Sequence, residues 1–149
     1  MNNLYNQTDV EKILNRIEQL TPNTQRKWGK MSVSQMLAHL NISLETPLGR
    51  NFPKRSLLGR IIGGIVKMGH LSKKPLPKNA PTDPNYIIRD NPDFKREKSK
   101  AIELIGTFHE NGASKCSKHP HSFFGKLTPE QWAILQWKHF DHHLRQFGV

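Results

Sequence analysis

Eight histidines stand in a chain of 149 residues, and three of them are spaced for metal chemistry. His139 and His143 lie four apart in a stretch of helical periodicity. Their side chains therefore differ by about 40° around the helix axis and about 6 Å along it. The row Leu135, His139, His143, Phe147 puts imidazoles where a core-facing helix ordinarily carries leucine. Two imidazoles at i and i+4 can converge on one ion. A second helical stretch supplies His39, three residues after Met36 and beside Leu40 on the inward side. Burying several unpartnered rings is costly, and a divalent metal satisfies them together. Three neutral nitrogens would leave a coordination position open for water or substrate, the arrangement of a catalytic site. A metal there lowers the pKa of a bound water or thiol, or polarises a carbonyl. The plainer reading makes each imidazole an ordinary core or half-buried side chain bonded to a backbone carbonyl.

His142 competes with His143, because it lies three residues from His139 and about 60° to the other side. It could instead support a ligand from outside the coordination shell, as could Asp141. His119 and His121, in the run His119-Pro120-His121-Ser122-Phe123-Phe124-Gly125, precede the last helical stretch. They are placed to overhang the end of a helical bundle, where a substrate would enter. Cys116 is the only cysteine and stands between Lys115 and Lys118. Nearby lysines can lower a thiol pKa, but no base or acid is placed beside it, so it reads as an ordinary free thiol. One cysteine excludes an intramolecular disulfide and a Cys-rich zinc site, and a reducing, cytoplasmic setting is expected. There is no phosphate loop, since Ile65 follows Gly64 where a lysine is required.

The elements that must position these residues are four helices with strong start signals. The first is predicted from Thr8, with Glu11 as capping-box partner and Val10, Ile13, Leu14, Ile17 and Leu20 at helical spacing. The second opens at Ser32 with Gln35 at the box position, runs through Val33, Met36, Leu37, Leu40 and Leu44, and closes at Pro47. The third starts near Asn91-Pro92-Asp93, carries Ala101, Leu104, Ile105 and Phe108, and stops at Gly112. The fourth has Thr128 as cap, Pro129 as first helical residue and Gln131 as box partner, and runs through Trp132, Leu135 and Leu144 to Gly148. No run alternates with period two. The expected fold is all-α: one domain over residues 1–149, a four-helix bundle with a long crossover between the second and third helices, about residues 47–90. Within it, Ser56 to Met68 is predicted as a short extra helix. Its row Leu57, Leu58, Ile61, Ile62, Ile65 is expected to pack on the bundle as a lid, with Arg60 and Lys67 outward. A membrane-surface role is the alternative.

Twenty-three Lys and Arg against twelve acids give a net charge of +11 and a pI near 10.1. Thirteen of the basic residues and only four acids fall in residues 50–100, a local +9, while the flanking stretches carry +1 each. Such a pI flags nucleic-acid binding. The basic stretch, however, lacks the aromatic interleaving of single-strand binders and any helix-turn-helix spacing. The longest uncharged apolar stretch, Ile61 to Val66, falls far short of the roughly 20 residues of a membrane span. The first residues, Met-Asn-Asn-Leu-Tyr, carry neither a basic start nor an apolar run, so no signal peptide is read.

The residues Trp28 to Leu40 (WGKMSVSQMLAHL) resemble the second-helix signature of the DinB-like (YfiT-like) superfamily, and His139 to Gln146 (HFDHHLRQ) resembles its fourth-helix metal motif. The likeness extends to the stretch Lys78 to Thr82, the segment Phe124 to Glu130 and the ending His142 to Gly148. It implies a four-helix bundle with a long crossover and a divalent metal, zinc, nickel or similar, held by one His of the second helix and two of the fourth. By position these are His39, His139 and His143. The superfamily includes transferases and isomerases that use low-molecular-weight thiols, and many members are dimers. The expected function is therefore a metal-dependent enzyme of thiol-transferase or hydrolase type, a homodimer acting on a small anionic substrate drawn in by the basic crossover. The alternatives are a nucleic-acid-binding module using residues 50–100, or a non-catalytic dimeric bundle whose histidines are structural.

Overall fold

Helix starts follow the capping chemistry closely. The computed structural model describes residues 1–149 and contains five α-helices: α1 (Gln7–Glu18), α2 (Val33–Glu45), α3 (Leu57–His70), α4 (Phe94–Asn111) and α5 (Pro129–Gln146). Single 3₁₀ turns lie at Pro84–Tyr86 and Ala113–Lys115. There is no β-strand, only an isolated bridge between His121 and Gly125. The all-helical expectation holds. Two of the three expected capping boxes form: Ser32 and Thr128 accept from the backbone N–H of Gln35 and Gln131, whose side chains accept in return from the cap N–H groups. Asp93 caps α4 by accepting from Arg96 N–H at 2.8 Å, so Pro92 lies just outside the helix and not in its first turn.

The first helix starts earlier than its sequence predicts. Its cap is Asn6, which accepts from Asp9 N–H at 3.1 Å, and not Thr8. Asp9 reaches back to the N–H of Asn3 at 3.2 Å. The cause lies upstream: Leu4 is fully buried and its N–H donates to the Ala133 carbonyl, which fixes the chain two residues before Asn6. Asparagine is also at least as good a cap as threonine.

One continuous core joins four of the helices. Ile13 and Ile17 of α1, Met36, Leu40 and Leu44 of α2, Leu104 and Phe108 of α4, and Trp132, Phe140 and Leu144 of α5 are all buried within it. Helices α1 and α2 each pack on both α4 and α5. Burying a large aliphatic or aromatic side chain contributes about 1.5–3 kcal/mol, so these facing rows hold the helices that carry the histidines.

Helix α3 stands outside that core and reverses the expected orientation. Its only buried residues are Gly59 and Gly63, which sit against the backbone of Phe123. A Cβ on either would collide with the Phe123 carbonyl. The apolar row faces outward, with Leu57 and Ile61 each 79 % exposed and Ile65 70 %. The lid expectation fails because the small-residue edge, not the apolar one, lets the helix backbone approach its neighbour. Beyond α3 the chain is clasped to α5: Lys138 Nζ donates to the carbonyls of His70, Ser72 and Lys74, all within 2.8 Å.

Candidate metal centre

The structure brings His39, His139 and His143 together. Their candidate ligand atoms lie within 4.8 Å of one another, and the ring centroids are 4.8, 4.9 and 5.0 Å apart. Helix α2 delivers His39 from the row that buries Met36 and Leu40, and α5 delivers the other two one turn apart. His39 and His143 are buried, while His139 is half-buried.

Hydrogen bonds decide which nitrogens are free. His39 Nδ1 is 2.8 Å from the Tyr86 carbonyl, which can only accept. Nδ1 therefore carries the hydrogen, and Nε2 carries a lone pair that faces the cluster. His143 Nδ1 lies 2.7 Å from Gln146 Oε1. Gln146 Nε2 in turn donates to the Trp28 carbonyl at 2.8 Å, which fixes the amide with its oxygen toward the ring. Nε2 of His143 thus also carries a lone pair and no hydrogen. His139 Nε2 sits 2.8 Å from His39 Nε2 and donates to it.

Burial makes the three rings neutral. Desolvation holds His39 below the ordinary imidazole range, His139 well below it and His143 at about 3. The neighbouring rings push His139 and His143 further in the same direction. No carboxylate hydrogen-bonds any of the three. Three neutral imidazoles, two with their lone pairs already set by partners outside the cluster, fit a borderline divalent ion such as zinc or nickel. The three are close enough to hold a metal ion.

The other sequence candidates fall elsewhere. His142 is half-buried, edge-on to Trp28 at 5.9 Å between centroids, and its ring lies beside that of His143 without joining the cluster. Asp141 turns away to pair with Arg16 and Arg145, each at 2.8 Å, so it supports no histidine. His119 donates to the Pro53 carbonyl at 3.1 Å and packs on Phe52, and it is not part of the histidine cluster. His121 does not overhang an opening. It is buried beside Trp132 and Phe124, its Nδ1 accepting from the N–H groups of Phe123 and Phe124, and burial lowers its pKa to about 4. Burial pushes the Cys116 thiol up, which outweighs any effect of the adjacent lysines. An open cleft of about 430 Å³ lies on the side of α5 that faces away from the histidines, lined by Lys73, Lys74, Trp137, Asp141 and Arg145 among others, and includes none of the three.

A family model described as "Protein of unknown function (DUF1569)" matches residues 2–148. The chain belongs to the DUF1569 family. Comparison with curated proteins and with solved structures returned no match. In this DUF1569 chain the sequence reading missed Tyr86, Gln146 and Trp28, the residues that orient the imidazoles. Gln146 had a usable signal, since it stands three residues after His143 on the same helix. Tyr86 had none, because it acts through its backbone carbonyl from a 3₁₀ turn in the long connection.

Proposed function

We propose that this DUF1569 protein is a DinB-like, metal-dependent enzyme of the thiol-transferase or hydrolase class. In this reading α1, α2, α4 and α5 are its four-helix bundle, and the segment between α2 and α4 is its crossover. His39, His139 and His143 hold a divalent ion. The observation that carries the reading is that Nε2 of both His39 and His143 carries a lone pair and no hydrogen, in a buried cluster with no carboxylate. A bound ion would supply an acidified water or low-molecular-weight thiol, or a polarised carbonyl. The chain's own part is orientation and attraction. Tyr86 and Gln146 fix two imidazoles through their Nδ1 hydrogens, which also raises ligand basicity. His139 is the least buried of the three ligands, and the net charge of +11 favours a small anion as substrate. The protein acts as a homodimer in this proposal.

Metal analysis of protein purified under native conditions tests it. The expected result is close to one divalent ion per chain, lost in the His39→Ala/His143→Ala variant, followed by turnover in a thiol-conjugation screen. Protein that carries no transition metal and shows no affinity for added Zn²⁺ or Ni²⁺ would overturn it.

A further inference from the structure

Between Glu45 and Asp83 the chain carries eight Lys and Arg and no acid. Only Arg50 among them meets a carboxylate, Glu103 at 3.8 Å. In the middle of this stretch lies α3, held to the protein by its glycine edge. Leu57, Leu58, Ile61, Ile65 and Met68 point to solvent, each at least 58 % exposed. Basic groups flank the helix along the chain. Arg60 and Lys67 lie on one flank of the helix, Lys54 precedes it and Lys73 and Lys74 follow it. Lys126 adjoins, since its carbonyl accepts from Lys67 Nζ.

We propose that α3 is a docking face for the surface of an anionic lipid bilayer. The helix lies in the plane of the interface, its apolar row among the acyl-chain boundary and its lysines on the lipid phosphates. A helix of 14 residues is about 21 Å long, too short to cross the hydrocarbon core but suited to lying in its surface. The occupant follows from having to meet both halves of the face. A nucleic acid would satisfy the lysines and leave Ile61 and Ile65 without an apolar partner. A second copy would cover the apolar row but bring two uncompensated cationic segments together. An anionic bilayer supplies both partners.

Cosedimentation of the full chain with vesicles tests this, comparing phosphatidylcholine alone with phosphatidylcholine containing phosphatidylglycerol. Binding to the anionic vesicles is expected to exceed binding to the neutral ones by at least about tenfold and to weaken with salt. Ile61→Ser/Ile65→Ser, at two exposed positions, should weaken it about tenfold or more while leaving the circular dichroism and melting profile unchanged. Lys73→Gln/Lys74→Gln should weaken it mainly at low salt. Equal binding to both vesicle types, or binding that survives Ile61→Ser/Ile65→Ser, would overturn the proposal. So would a concentration-dependent dimer that this variant abolishes, or tighter binding to duplex DNA than to the anionic vesicles.

Discussion

At the scale of single residues, the chain stabilises imidazoles in their neutral form. His143 titrates near 3 and His121 near 4, against 6.5 for an unperturbed ring, and burial is the main cause for both. Unfolding returns both rings to the ordinary value. Between about pH 6.5 and 4 the unfolded chain therefore binds protons that the folded one refuses, and stability falls as the pH falls through 6.5. Each ring contributes a slope of about 1.4 kcal/mol per pH unit across that window. His39 and His139 act in the same direction. The urea midpoint of metal-free protein should thus be clearly lower near pH 5 than near pH 7.5, and an unchanged midpoint would show that the rings are hydrated. The triad was legible in the sequence because helical spacing places His139 and His143 in one row and His39 beside Leu40. Asp141 was misjudged although its spacing was informative: two residues from both His139 and His143, it lies about 160° around the helix from them. His121 could not have been placed, since its surroundings come from a turn closed by the His121–Gly125 bridge.

At the scale of elements, caps were read well where side chain and helix are local to each other. Ser32 and Thr128 both bond within three residues of themselves. The start of α1 was not local, because the Leu4 N–H pairs with Ala133 far along the chain. Helix α3 shows the same division: its position was legible, but which edge it buries depends on the backbone of Phe123. Replacing Gly63 by alanine raises intrinsic helix propensity by up to about 1 kcal/mol. The collision with the Phe123 carbonyl outweighs that gain. Gly63→Ala is expected to lift α3 from its seat, read as faster proteolysis around Lys67 and faster amide exchange in α3. Protection equal to the natural chain would mean that α3 is not held by this contact. The clasp from Lys138 predicts that the segment just after α3 stays protected even then.

At the scale of the whole molecule, the core and the centre are built from the same helices, so an ion bound there would be coupled to global stability. Helix α3 contributes none of that core. A ligand that binds only the folded state adds about 2.7 kcal/mol at one hundred times its Kd. For a chain of this size that corresponds to a rise in Tm of roughly 5–10 °C. Saturating Zn²⁺ should produce such a rise, and His39→Ala/His143→Ala should remove it. A rise of equal size in the variant would place the ion elsewhere.

Between His39 and His139 a single hydrogen occupies the 2.8 Å gap, in a pocket whose three donors are all uncharged. An ion taken up there would bring its double charge into a molecule already at +11, with no ligand of opposite sign to offset it. Electroneutrality would then have to come from outside the chain. Whatever fills the remaining position would be chosen by charge before shape, so anions would compete for it and neutral molecules would be poor competitors.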